Sequence, residues 1–341
     1  MNALALHLAS ALGLVALAGC GGAAGAPPAG APAVVRAAAP ARFGAPFVSP
    51  LRTTDPRVGQ ILLDGKEVAA ESEWLDRAMA SDIVYLGEKH DNADHHRLQA
   101  HAIEALVGRG ARPSIVLEMV DEDEQAKLDA LASATDTAQI RDGLAWSTRG
   151  WPAFEIYEPI FRQALAHRLP IVAGNAPKAL VKKIAFAGHD SASAPLDAQL
   201  LARFGLDAPL PPAAQASLDA DLVQAHCGML PASAVGPMAL AQRARDFTLA
   251  KHARSVAKPA RGPRSVVIAG AGHARTDRGA PWHVRRTDPA LRQLSLAFVE
   301  TTESTERAEK APPYDAVWFT PVANEDDHCK DFGAPKKPGG T

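Results

Sequence analysis

The sequence predicts an α/β domain: a mainly parallel sheet flanked by helices, with a small helical subdomain inserted late in the chain. Three observations predict it. Short apolar runs of strand length alternate with amphipathic stretches of helical period from about residue 59 to residue 320. Several of these runs end directly on glycine or on a polar residue, as strands do where they leave a sheet. From about residue 190 to 259, helical patterns occur without a clear strand. Apolar residues make up 47% of the 341, enough to build a sizeable core.

In chain order, Gln60-Ile61-Leu62-Leu63 before Asp64-Gly65 predicts a short strand and a turn. Ser72 is then expected to cap a helix that buries Trp74, Leu75, Ala78 and Met79. Residues 83–86 form the next strand. The helix over 93–107 buries Leu98, Ala102, Ala105 and Leu106, with Asp91 and Asn92 at its start and Gly108 and Gly110 at its end. A strand at 114–117 and a helix at 122–131 follow. A further helix at 155–167 turns Ile156, Ile160, Phe161 and Leu165 inward. Residues 171–173 and 265–269 read as strands, and 294–299 and 316–319 add two more. Helical patterns on either side of the proline-rich 209–212 segment make up the insertion.

The N-terminus carries an apolar run over residues 4–17, too short to span a bilayer but of signal-peptide length. It ends in Leu17-Ala18-Gly19-Cys20, which resembles a bacterial lipobox. That resemblance implies a signal peptide at 1–19 and acyl chains on Cys20, and several chains anchor a protein stably. Gly, Ala and Pro dominate 20–58, the expected tether. Residues 59–320 form the folded domain, and the polar 321–341 a disordered tail. The expected location is the cell envelope, lipid-anchored to the outer membrane and facing the periplasm or the cell surface, since Gly21 rather than an aspartate follows Cys20. In that oxidising setting Cys227 and Cys329 either form a disulfide, or Cys227 serves a site while Cys329 stays in the tail. The balance of 36 Lys and Arg against 38 Asp and Glu, with no basic stripe, argues against nucleic acid as a partner.

Chemistry concentrates where strands end. The run to Leu86 is followed by Gly87-Glu88-Lys89-His90, Leu117 by Glu118, Ala173 by Gly174-Asn175, and Ala269 by Gly270-Ala271-Gly272-His273. In a parallel sheet such loops share one edge, where ligands bind, so Glu88, His90, Glu118, Asn175 and His273 should face one crevice. Imidazoles with carboxylates can bind a metal, carry protons or pair with charged ligands. Adjacent helical residues point about 100° apart, so at most one of His95 and His96 can join His90. His167, His189, His252 and His283 stand alone and are expected at the surface or in caps.

The segment Val84 to Asn92 with His95, His96 and Gln99, together with Val116-Leu117-Glu118-Met119 and Gln125, resembles the ChaN family of haem-binding lipoproteins. The likeness continues through Trp151, Phe154, Tyr157 and Pro159, then Gly174-Asn175, His226-Cys227-Gly228, Gln242 with Asp246, Gly270 to His273, and Gly279-Ala280-Pro281. It implies haem as cofactor, paired haems held in a homodimer, and a place in iron uptake. Within it Tyr157 is the first candidate for the haem iron and His273 the second; Trp151 and Phe154 can stack on a porphyrin. Arg245 could meet a propionate, or stand as a solvated charge. His226 and Cys227 could close over the pocket, or serve structurally. Leu249 and Ala280 depart from the family pattern without removing a site histidine. The wider superfamily, with erythromycin esterases and Tiki-type proteases, implies a second possibility: a hydrolase with His90 or His273 as base, Glu118 orienting it, and a divalent metal activating water.

Overall fold

A computed structural model describes residues 43, 44, 46–187, 196–302, 313–327, 329 and 330. The signal segment, Cys20, most of the tether, His189 and residues 331–341 lie outside them. The strands are β1 (Ile61–Leu63), β2 (Lys66–Glu67), β3 (Ile83–Glu88), β4 (Ser114–Asp121), β5 (Ile171–Asn175), β6 (Ser265–Gly270), β7 (Gln293–Glu300) and β8 (Ala316–Thr320). They form one sheet in the order β2-β1-β8-β7-β3-β6-β4-β5. Every pair from β8 to β5 is parallel, and only β1 runs antiparallel, to β2 and β8.

The strands are buried on both faces because successive side chains point to opposite sides. Val84 and Leu86 of β3 with Val266 and Ile268 of β6 enter one core, and Ile83, Tyr85, Val267 and Ala269 enter the other. The first core is covered by α1 (Glu71–Ala80), α2 (Ala93–Gly108), α3 (Gln125–Ala130), α4 (Thr137–Gly143) and α5 (Phe154–Ala166). After β5 come α6 (Lys178–Ala185), α7 (Ala198–Arg203), α8 (Pro212–Ala225) and α9 (Ala232–Ser255); α10 (Ala271–Ala274) and α11 (Ala280–Thr287) follow β6. The C-terminal half of α9 covers the second core through Leu249, Ala250 and Ala253.

Helix α2 begins at Asn92, whose side chain accepts from the Asp94 and His95 amides, as expected of that position. Helix α1 differs from expectation: it begins after Ala70, and Glu73 reaches back to the Ala69 and Ala70 amides. Ser72 is therefore inside the helix. The inserted helices are present, and their core also draws on Ile184 and Ala185 of α6 and Trp282 of α11. The open edge of β5 is plugged by Gln125, which accepts from the Ala173 amide and donates to the Ile171 carbonyl.

Both expected flexible flanks are tied down where they are described. The Val48 and Ser49 amides donate to Asp94, and Leu51 pairs with Val322. The Ala323 amide donates to Glu300, and Cys329 forms a disulfide with Cys227 at the end of α8. Of the two roles open to Cys227, the structure selects the disulfide. No helix among the described residues is long and apolar enough to cross a membrane.

Candidate functional site

Strands β3, β6, β4 and β5 lie side by side and end at one edge, with Glu88, Gly270, Asp121 and Asn175 as their last residues. The register of β4 against β5 shifts between Leu117 and Asp121, and Glu118 lies in that irregular stretch. Its Oε2 accepts from the Gly270 amide at 2.7 Å, which ties the end of β4 to the end of β6. Glycine at 270 is required by close approach. A Cβ there would come within 3.0 Å of His90 Nε2. Gly87 serves likewise, since its Cβ would press on Ala274 and on the Ala271 backbone.

Two imidazole–carboxylate groups meet here. In the first, the buried Glu88 lies 2.8 Å from His90 Nδ1 through Oε1 and 2.8 Å from His96 Nδ1 through Oε2. His96 Nε2 donates to the His90 carbonyl at 3.0 Å. Burial would raise the Glu88 pKa, but the charges and hydrogen bonds of His96 and His90 outweigh it and hold the carboxyl at about 2. His96 is thus the one of the adjacent pair that joins the cluster. His95 instead accepts from the Lys89 amide, bonds Thr320, and is kept neutral by burial, its pKa about 3.

In the second group, His273 Nδ1 donates to Asp246 at 2.6 Å, and Nε2 lies 3.2 Å from Glu118 Oε1. Burial alone would lower the His273 pKa; Glu118 and Asp246 together lift it to about 9. Burial likewise raises Glu118, yet His273 and Arg245 hold it well below the usual carboxylate range. Arg245 donates Nη2 to Glu118 at 2.5 Å and Nε to Asn175 Oδ1 at 3.1 Å. Its guanidinium is therefore a brace for Glu118, neither a solvated charge nor a group whose whole fork is open to a ligand.

Several expectations are corrected by this geometry. Tyr157 is fully buried and donates to the His90 carbonyl at 3.4 Å, with its ring 4.0 Å from that of His96. Burial and the charge of Glu88 push its pKa up, opposite to what an axial phenolate requires. Phe154 is buried against Trp146 and Phe161, so it cannot stack on an external ring. His273 has carboxylates at both nitrogens and no lone pair for iron. As a base, His90 is oriented by Glu88 and His273 by Asp246, so Glu118 orients neither through Nδ1. His226 donates to the Leu222 carbonyl and ends α8 beside the disulfide. His283, expected at the surface, is buried between Phe247 and Trp282, and His252 pairs with Glu122.

Asp246, Gln242 and His96 belong to the site; the sequence matched all three to the family pattern and left one of His95 and His96 open to join His90, but assigned none of the three a role. A signal existed for the first two: Gln242, Arg245 and Asp246 have the 3–4 spacing that puts polar groups on one face of α9.

Beside His90 a groove of about 310 Å³ runs along Trp151, Asn175, Val181, Lys178, Lys182 and Arg245. The indole of Trp151 meets the His90 ring edge-on at 4.9 Å; the exposed Lys178 and Lys182 also line the groove, together with Asp121 and Arg149. No three His, Cys, Asp or Glu side chains among the described residues are arranged to hold a metal ion. Haem makes a smaller demand, because the porphyrin brings four of the iron's ligands. It asks the protein for an axial side chain, an aromatic or apolar wall and cations for its carboxylates; Trp151 and Val181 would supply the wall and Lys178 and Lys182 the cations, while the part-exposed imidazole at this edge, His90, abuts Trp151 outside the lining.

An open α/β sheet with imidazoles gathered at its strand ends places the molecule among ligand-binding α/β proteins. The chain belongs to the family described as haem-binding uptake, Tiki superfamily, ChaN, whose profile matches residues 74–284. Among solved structures it is similar to one described as cofacial heme binding to ChaN of Campylobacter jejuni, with 17% identity, 76% of this chain and 95% of that chain covered, and a TM-score of 0.60. Weaker likenesses are to the type III effector HopBA1 (15% identity, 73% and 92% covered, TM-score 0.41) and to a mutant of the erythromycin esterase EreC in its open conformation (13%, 78% and 97%, 0.42). No curated protein matches the sequence.

Proposed function

We propose that this chain is a lipid-anchored, haem-binding protein of the cell envelope that serves haem or iron uptake. The observation that carries the reading is the groove at the strand edge, lined by the Trp151 indole, Val181 and two lysines, with the part-exposed His90 ring set edge-on against that indole. Membership of a haem-binding family supports it. Trp151 and Val181 would meet the porphyrin face or edge, and Lys178 and Lys182 its propionates. Homodimerisation around paired haems, and anchoring through Cys20, complete the proposal.

Titration of the purified full chain with haemin tests it. A saturable Soret shift is expected, weakened several-fold by Lys178→Glu with Lys182→Glu; a chain that gives no shift in either oxidation state refutes it. Mass spectrometry of the mature N-terminus tests the anchor, which requires acyl groups on Cys20.

One observation favours a second reading, hydrolysis. His90 is a basic imidazole backed by a carboxylate and stands beside a fixed imidazolium at His273, the pairing that general acid–base chemistry uses. Turnover in an esterase and peptidase panel, abolished by His273→Ala, would replace the uptake role.

A further inference from the structure

We propose that helix α6 is a lipid-contact surface: Lys178, Lys182 and Lys183 rest on anionic headgroups, and Phe186 inserts between them. The inference concerns a surface outside the imidazole–carboxylate network and does not depend on ligand binding. Lys178, Lys182 and Phe186 follow one another at four-residue spacing. The Phe186 amide donates to the Lys182 carbonyl, so the last helical turn carries the phenylalanine onto the lysine stripe. The opposite face is consumed by packing, with Ile184 and Ala185 buried together with Ala241 and Ala244 of α9. The three lysines are exposed, and Phe186 is 59% exposed.

The protein does not neutralise these cations. Lys89, Lys127, Lys251 and Lys258 each pair with a carboxylate, whereas the three lysines of α6 have no carboxylate in ion-pair reach among the described residues. Lys178 reaches only the Arg149 carbonyl, and Asp121, which accepts from the Lys178 amide, is buried. An exposed aromatic ring on an uncompensated cationic stripe fits the boundary between headgroups and acyl chains, where the ring leaves water and each ammonium meets phosphate. A lipid surface is favoured over an acidic protein because it demands no matched shape, only charge and an insertable apolar group. With eight residues α6 lies on such a surface and cannot cross it. Lys178 and Lys182 also line the groove, which would therefore open beside the headgroups.

Flotation of the full chain with vesicles tests the contact, using phosphatidylcholine alone or mixed with phosphatidylglycerol. Phosphatidylglycerol should tighten binding, and added salt should reduce that gain. Lys183 and Phe186 lie outside the groove's lining, so Lys183→Gln and Phe186→Ser probe the lipid contact alone. Both variants keep residues 1–42, so any affinity of that segment for lipid cancels in the comparison. Lys183→Gln should lower affinity for the mixed vesicles about fivefold, and Phe186→Ser about tenfold, each with unchanged far-UV circular dichroism. In Phe186→Trp, brominated lipid should quench more emission than in the wild type; the absence of extra quenching overturns the insertion. A wild type indifferent to phosphatidylglycerol, or either of the first two variants binding mixed vesicles as the wild type does, overturns the proposal, whether or not the chain binds haemin.

Discussion

Glu118→Gln separates a buried electrostatic brace from an ordinary surface ion pair. Glu118 is 1% exposed and accepts from Arg245, from the Gly270 amide and, at 3.2 Å, faces His273. Glutamine preserves the shape and can still accept from Gly270, but it leaves a guanidinium and an imidazolium facing each other with one fewer negative charge. Breaking one partner of a buried charge network costs about 3–5 kcal/mol. Arg245 retains 23% exposure, so water softens the loss and about 3 kcal/mol is expected. For a domain of this size that corresponds to about 6–12 °C in Tm. Urea unfolding followed by circular dichroism measures the first quantity and calorimetry the second. Histidine NMR supplies an independent check, since the His273 pKa should fall from about 9 when one of the two carboxylates that raise it is neutralised. A loss below about 1 kcal/mol, the range of exposed pairs, with an unmoved His273 titration would refute the reasoning.

Stability should peak near pH 6.5 and decline on both sides, as urea midpoints across a pH series would reveal. His273 is raised from 6.5 to about 9, so its contribution is complete below 6.5 and is lost as pH climbs to 9. His95 and His283, lowered to about 3, contribute fully above 6.5 and progressively less below it, and Glu88 joins them between 4.5 and 2. Gly87→Val should cost about 1–3 kcal/mol or more, because its side chain meets the Ala271 backbone, which cannot step aside. Gly270→Ala should cost less, because the part-exposed His90 that its Cβ would meet can move; equal stability losses would show that the two glycines play one role. The Cys227–Cys329 bridge closes a separation of 102 residues, and replacing both cysteines with serine should lower the unfolding free energy by about 2–4 kcal/mol. Dithiothreitol should reproduce that loss in the wild type but leave the serine variant unchanged.

The apolar runs at 83–86, 114–117, 171–173 and 265–269 all became strands because burial on both faces leaves a hydrophobic signature that periodicity can read. Their ends were set short. β3, β4 and β5 continue through Glu88, Asp121 and Asn175, polar residues paired in the ladder only because tertiary partners take up their side chains. The two Gly-x-x-His loops likewise announced where the site lies, since a sheet's parallel strands must open on a shared edge. Local chemistry also foretold that Asn92 would cap α2 and that only one of two adjacent histidines could turn towards the cluster.

What no local pattern could assign is which donor remains available. His90 and His273 look alike in sequence, each the fourth residue of a glycine loop, yet one is buried between Asp246 and Glu118 while the other pairs with Glu88 and stays part-exposed. Tyr157 and Arg245 read as ligand-facing groups and are instead consumed within the protein. The contacts responsible join residues 27, 67 and 127 positions apart. Residue type and spacing decided which chemistry the strand edge would hold. Packing decided which of its atoms are left for a ligand, because a lone pair's availability depends on the neighbours that surround it in space, and those neighbours come from distant parts of the chain.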